Sequence, residues 1–207
     1  MIVRSYVRHI STEAAISTVI ADVRQSNERT MDPKTFDDYM EALKDLYIIE
    51  DMEAWNPNIR SKTSIRSTPT RHFVDTSIAC RALGIMPEDL LRDLESFGLF
   101  FEDMAVRDLK IYASTIGGEV RHYRDGTGLE CDAVVHLEDG RWGAVEIKLG
   151  GDTLIESGAT SLKTLKKKIE EKSDERSPSF LMVLTAVGGS YQREDGVYVV
   201  PINLLKP

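Results

Sequence analysis

Leu129-Glu130-Cys131-Asp132-Ala133 and Val145-Glu146-Ile147-Lys148-Leu149 are the two stretches on which the fold turns. Each is an apolar run broken at alternate positions by charge. Side chains two apart on a strand share a face, so Glu146 and Lys148 project together, as do Glu130 and Asp132. Buried charges are costly unless they pair or bind a metal. Between the two runs stands Glu138-Asp139-Gly140. If these three residues form the loop, with Gly140 left-handed, Leu137 faces Arg141 and Asp132 lies across from Glu146. Glu130 then lies across from Lys148, and all four share one face. A two-residue Asp139-Gly140 turn would instead put Asp132 and Glu146 on opposite faces, because a one-residue slip flips every side chain. The three-residue loop brings the two carboxylates to within about 6 Å, close enough to share one ion. Carboxylates that hold Mg²⁺ (or Mn²⁺) beside an amine meet the needs of metal-assisted phosphodiester hydrolysis. The ion polarises the phosphate and acidifies a water, and the ammonium stabilises charge developing on the phosphate. Lys148 has a plainer alternative, a salt bridge to Glu130, and Glu130 reads as a partner of Lys148 or Arg124 rather than as a ligand.

Around this hairpin the pattern is that of a mixed α/β sheet. Gly98 to Ile116 reads as a helix with Phe101, Ala105, Leu109, Tyr112 and Ala113 inward, stopped by Gly117-Gly118. Glu119 to Arg124 is a further strand, joined to the next by an expected Asp125-Gly126 turn. Thr153 to Lys172 is helical, with Leu154, Leu162, Leu165 and Ile169 on its apolar side and Lys163, Lys166, Lys167 and Lys168 exposed. It supplies a crossover, so the apolar run Phe180 to Val187 is expected to pair parallel and to be buried on both faces. Val197 to Val200 is a last short strand.

Upstream, Ser11-Thr12 caps a helix bearing Ile16, Val19, Ile20 and Val23. Asp32-Pro33 opens another, with Phe36, Met40, Leu43 and Tyr47 on one side. Two strands follow, at Tyr47-Ile48-Ile49 and at Arg71-His72-Phe73-Val74. Two helices and two strands joined by a basic loop outline a winged helix-turn-helix, and the boundary is placed near residue 84: residues 1–84 winged-helix-like, residues 85–207 the mixed sheet.

Composition restricts the function classes. The 207 residues are 42% hydrophobic and 29% charged, ordinary for a globular protein. No apolar run approaches membrane-spanning length, which requires about 18 residues. The N-terminus lacks the apolar region of a secretory signal. Cys80 and Cys131 are too few for a disulfide framework or a zinc site, and a reducing cytoplasm is the expected location. A net charge of −8 argues against coating nucleic acid by bulk electrostatics. Arg60, Lys62, Arg66, Arg71 and Arg81 nevertheless face only Asp75 among acids between Ala54 and Arg81. That stretch is either a phosphate-contacting patch or a solvated loop. The helix after Pro33 carries Asp37, Asp38, Glu41 and Asp45 against Lys34 and Lys44, a face that repels phosphate and suits a protein partner. His9, His72, His122 and His136 show no ligand spacing.

Phe101-Glu102, Tyr123-Arg124, Glu130-Cys131-Asp132 and Glu146-Ile147-Lys148, in this order and spacing, resemble the C-terminal region of archaeal and bacterial AAA-type ATPases. That region is a domain of unknown function with a PD-(D/E)XK, restriction-endonuclease-like fold. Tyr39 to Trp55 and His72-Phe73-Val74-Asp75 resemble the helical segment preceding its core, so the likeness covers nearly the whole chain. It implies Glu102, Asp132 and Glu146 as metal ligands and Lys148, with Glu146 and Asp132, as the catalytic set. Two departures stand out: no G-x-x-x-x-G-K-[ST] motif is present, and Cys131 stands where the motif has Pro. Arg60, Lys62, Arg66 and Arg124 are the candidate nucleic-acid contacts. The expectation is a Mg²⁺-dependent nuclease acting on nucleic acid. Its alternative is a non-catalytic module that contacts nucleic acid or a partner NTPase.

Overall fold

A computed structural model describes residues 2–25, 32–57, 68–172 and 177–206. It divides into two compact units, one of Met1–Met52 with Thr68–Met104, the other of Glu53–Ser67 with Ala105–Pro207. The division falls inside a helix, twenty residues beyond the boundary placed near residue 84.

The first unit is mainly helical: α1 (Ile2–Val7), α2 (Ile16–Gln25), α3 (Pro33–Asp45), a two-stranded antiparallel ribbon of β1 (Ile49–Met52) and β2 (Thr70–Phe73), then α4 (Thr76–Leu83), α5 (Pro87–Leu90) and the start of α6 (Leu94–Thr115). Asp32 and Pro33 do open α3, and Phe36 and Met40, one turn apart, enter the core. There they meet Tyr6, Ile10, Val19, Val23, Ile49, Phe73 and Ala79. The apolar segment Ile78 to Leu83 belongs to α4. The Asp75 side chain caps its start by accepting from the Ser77 N–H at 2.8 Å, and left-handed Gly84 closes its end.

The second unit is a six-stranded mixed sheet flanked by helices. Its strands are β3 (Gly118–Arg124), β4 (Glu130–Leu137), β5 (Trp142–Lys148), β6 (Phe180–Thr185), β7 (Tyr191–Gln192) and β8 (Tyr198–Pro201), in the order β3-β4-β5-β6-β8-β7. β3, β4 and β5 are antiparallel neighbours. The crossover α7 (Asp152–Lys172) returns the chain so that β6 runs parallel to β5. Ile155, Ala159, Leu162, Leu165 and Ile169 of α7 pack against Val134, Trp142, Ala144, Val183 and Val199. Burying each large aliphatic chain is worth about 1.5–3 kcal/mol. Leu154, expected on this apolar side, is exposed, and Ile155 takes its place.

One turn recurs. Leu137 N–H donates to Arg141 O at 2.8 Å, and Gly140 N–H to Leu137 O at 2.9 Å, with Gly140 at φ 81°. Asp125–Leu129 and Arg193–Val197 repeat the pattern, with left-handed Gly128 and Gly196. The β3–β4 turn is therefore not the Asp125-Gly126 pair; its left-handed residue is Gly128, and the Asp125 carboxylate accepts from Thr127 N–H and Oγ1 instead. The lysines of α7 clamp these turns. Lys168 pairs with Asp125, and Lys163 lies 2.7 Å from Asp195.

Residues 53–55, placed by resemblance in the helical segment before the core, pair instead with the sheet. Ala54 forms a parallel bridge with His122, and Trp55 N–H donates to His122 O at 2.6 Å. The Trp55 ring then packs against Trp142, centroids 4.7 Å apart and planes tilted by 36°. That is why this segment belongs with the sheet. No helix among the described residues is long and apolar enough to cross a membrane.

Candidate active site

The β4–β5 register continues the pairing Ala133↔Val145 by one step to set Asp132 opposite Glu146, on one face of the sheet. The ladder stops there because the Asp132 side chain takes over: Oδ2 accepts from Ile147 N–H at 2.7 Å. The same oxygen lies 3.0 Å from Lys148 Nζ, and Nζ lies 2.7 Å from Glu146 Oε2. Both carboxylates touch one nitrogen, so their oxygens lie within about 6 Å, a separation one cation can span.

Lys148 therefore pairs with Asp132 and Glu146 rather than with Glu130. Glu130 is exposed and bound to Arg124 at 3.0 Å. The lysine turns back along its strand because the charge there is buried and needs compensation more. Glu146 is only 4% exposed. Gly158 explains how: a methyl at that point of α7 would stand 3.2 Å from the Glu146 Cβ and 3.3 Å from Val183, so the missing side chain lets the helix pass close over the carboxylate. A glycine in the middle of an otherwise good helix was the signal available in the sequence.

Two negative groups and one positive group leave a surplus charge. Burial, then repulsion from Asp132, pushes the Glu146 carboxyl up to about 8, against the pull of Lys148. Burial opposes the lysine's charge, but Asp132 and Glu146 override it and raise the ammonium above its ordinary range, so it stays protonated. Burial, then Glu146 and Asp132, also push the neighbouring Cys131 thiol well up, so it is no nucleophile.

A carboxyl group held above its unfolded value binds its proton more tightly when folded. Its contribution to stability is complete below the unfolded range, near about 4.3, and is lost as pH rises through about 8. The metal-free protein is thus expected to lose stability between pH 5 and 8, on the order of 3 kcal/mol from this group. Glu146→Gln should flatten that fall in chemical-denaturation series. An unchanged slope in the variant would place the titration elsewhere.

Among the described residues, no three His, Cys, Asp or Glu side chains gather as a ready metal cluster. The donors that do converge, two hard carboxylates with surplus negative charge, fit Mg²⁺ or Mn²⁺ in kind. Glu102, implied as a third ligand, is half-buried on α6 in the first unit, so the donors described for the sheet are Asp132 and Glu146.

The model for Domain of unknown function (DUF8612) matches residues 1–89, and that for Domain of unknown function (DUF4143) matches residues 97–205. The second match spans more than half of the chain. The chain belongs to the DUF4143 family. DUF4143 is a domain found C-terminal to AAA ATPases. It encloses every strand of the six-stranded sheet, with Asp132, Glu146 and Lys148 near its middle. No curated protein and no solved structure matches the chain.

Of the candidate nucleic-acid contacts, Arg124 ends β3, exposed beside Glu130. Arg60, Lys62 and Arg66 lie outside the described residues. Arg71, counted with that basic stretch, is not a surface charge. It is 4% exposed, with Nη1 2.6 Å from Asp51 on the facing strand and Nε donating to Ala14 O at 3.2 Å.

Sequence reasoning also missed Asp103. This fully buried carboxylate accepts from Phe73 N–H at 2.9 Å and Thr76 Oγ1 at 2.6 Å, and faces His72 Nδ1 at 3.1 Å. With Nδ1–H turned to Asp103, Nε2 accepts the Thr70 hydroxyl at 2.9 Å. All five residues belong to the first unit, where Asp103 joins α6 to β2 and to the start of α4.

Proposed function

We propose that the DUF4143 part is a divalent-metal-dependent, nuclease-like phosphodiesterase domain of the PD-(D/E)XK type, acting on nucleic acid. The observation that carries this is the convergence of Asp132, Glu146 and Lys148 on one face, the ammonium within 3.0 Å of both carboxylates. Asp132 and Glu146 would hold Mg²⁺ or Mn²⁺. When bound, such an ion polarises the phosphodiester and acidifies a water. The chain supplies the rest. The Ile147 N–H fixes Asp132 Oδ2, and α7 shields Glu146 from solvent. Lys148, released from its bridging position once a cation satisfies the carboxylates, can neutralise charge that develops on the phosphate.

One observation favours a second reading. Lys148 already compensates both carboxylates without a metal. A domain content with that ion pair would be a non-catalytic module that contacts nucleic acid or a partner NTPase. Arg124 and the segment bearing Arg60, Lys62 and Arg66 are the proposed phosphate contacts in either reading. We read the N-terminal unit as winged-helix-like on its order of α2, α3, β1 and β2. Asp37, Asp38, Glu41 and Asp45 are exposed on α3, which favours a protein partner over DNA there.

Incubation of supercoiled plasmid with the protein and millimolar Mn²⁺ separates the two readings. Nicking by the wild type and none by Glu146→Ala supports the enzyme. A wild type that leaves the plasmid intact removes the catalytic reading and leaves the module.

A further inference from the structure

Helices α3 and α4 end in the same backbone turn. Tyr47 N–H donates to Lys44 O at 2.9 Å and Ile48 N–H to Leu43 O at 3.0 Å, just as Gly84 N–H donates to Arg81 O at 3.2 Å and Ile85 N–H to Cys80 O at 3.1 Å. The residue that closes such a turn is left-handed, and glycine is its usual occupant because a Cβ is disfavoured there. α4 has Gly84, at φ 74°, but α3 has Tyr47, at φ 53°. Tyr47, expected beside Phe36 and Met40 on the core side, is instead 78% exposed. An aromatic side chain thus occupies a position that backbone sterics favour for glycine, and it gains no burial there.

The helix leading to it has the same character. Tyr39, Ala42 and Leu46, at i, i+3 and i+7, lie along one side of α3 and its C-cap, and all three are exposed, Leu46 at 68%. One residue earlier in each case, Asp38, Glu41 and Asp45 run beside them. Among the described residues no cation pairs with these three acids. Lys44 is engaged with Asp51 at 2.5 Å, which leaves Lys34 as the other cation of the helix.

We propose that the stripe of Tyr39, Leu46 and Tyr47 docks a basic amphipathic helix of a partner protein. Apolar residues of that helix cover the three side chains, and its lysines or arginines meet Asp38, Glu41 and Asp45. Aromatic and aliphatic anchors within a charged rim are how protein interfaces are built. The acids repel a phosphate backbone, and a second copy of this chain placed across a two-fold axis would set the same acids against each other. The proposal deepens the reading of α3 as facing a protein partner and does not depend on the metal site.

The test titrates a labelled helical peptide of leucine and lysine, and its leucine–glutamate counterpart, with the full chain by fluorescence anisotropy. Wild type should bind the lysine peptide saturably and leave the glutamate peptide free. Tyr47→Gly should melt at or above the wild-type temperature, because glycine suits this backbone, and should bind about tenfold more weakly through the loss of one anchor. Leu46→Ser should weaken binding likewise, and plasmid nicking in Mn²⁺ should be the same for all three proteins. Variants that bind as tightly as wild type would mean that charge alone holds the peptide, which overturns the proposal. So would no binding by wild type, a Tyr47→Gly protein that melts well below it, or self-association in sedimentation velocity that Tyr47→Gly abolishes. Binding of a labelled DNA duplex that Tyr47→Gly abolishes would overturn the protein-partner reading of α3 as well, and none of these outcomes bears on the metal site.

Discussion

Lys148→Met is expected to destabilise the metal-free protein in a pH-dependent way, by about 3 kcal/mol at pH 8 and far less at pH 5. The ammonium is the counter-charge shared by Asp132 and the buried Glu146. Its loss at pH 8 leaves two facing carboxylates, and Glu146 must either ionise without compensation or hold a proton still more tightly. At pH 5 Glu146 is protonated in the wild type as well, since its pKa stands at about 8, so there is less to lose. Millimolar Mn²⁺ should return most of the stability at pH 8, because a cation bound only by the folded state supplies the missing charge. Plasmid nicking should not return, since the metal cannot replace the ammonium over the phosphate. Urea unfolding at both pH values, with and without Mn²⁺, reads all of this. Full nicking by a folded Lys148→Met protein would end the catalytic assignment of this residue.

Asp103→Ala is expected to cost about 3–5 kcal/mol, the weight of removing one partner from a buried charged network. Phe73 N–H, Thr76 Oγ1 and His72 Nδ1 all lose their acceptor, and none can reach water where Asp103 and His72 are wholly buried. The loss falls on the first unit, so far-UV circular dichroism should show early melting of helix, with Asp103→Asn intermediate because one of its oxygens becomes a donor. A melting curve like that of the wild type would mean that the network contributes little.

How much of this was legible in the sequence follows from the range of the interactions involved. The β4–β5 hairpin was readable because alternation and a Gly140 loop are local, and they put Asp132 opposite Glu146. The parallel β6 followed from the helix between it and β5. Lys148's true partners were not readable. Register alone pairs it with Glu130, and only burial of Glu146 beneath Gly158 draws the ammonium the other way. Asp103 went unnoticed beside Glu102 because its donors come from β2 and α4, some thirty residues away. Arg71 looked like part of a basic patch for the same reason, since Asp51 meets it only across the β1–β2 ribbon. The short helices α1 and α4 carry too few residues for a periodic signal.

The most direct test of the account is calorimetric titration of Mn²⁺ into wild type and Asp132→Asn at pH 8, where the amide keeps the acceptor for Ile147 N–H but removes the charge. The account predicts saturable binding at millimolar or lower concentration in the wild type and its loss in Asp132→Asn. Equal binding by the two proteins, or none by either, would contradict a metal site between Asp132 and Glu146.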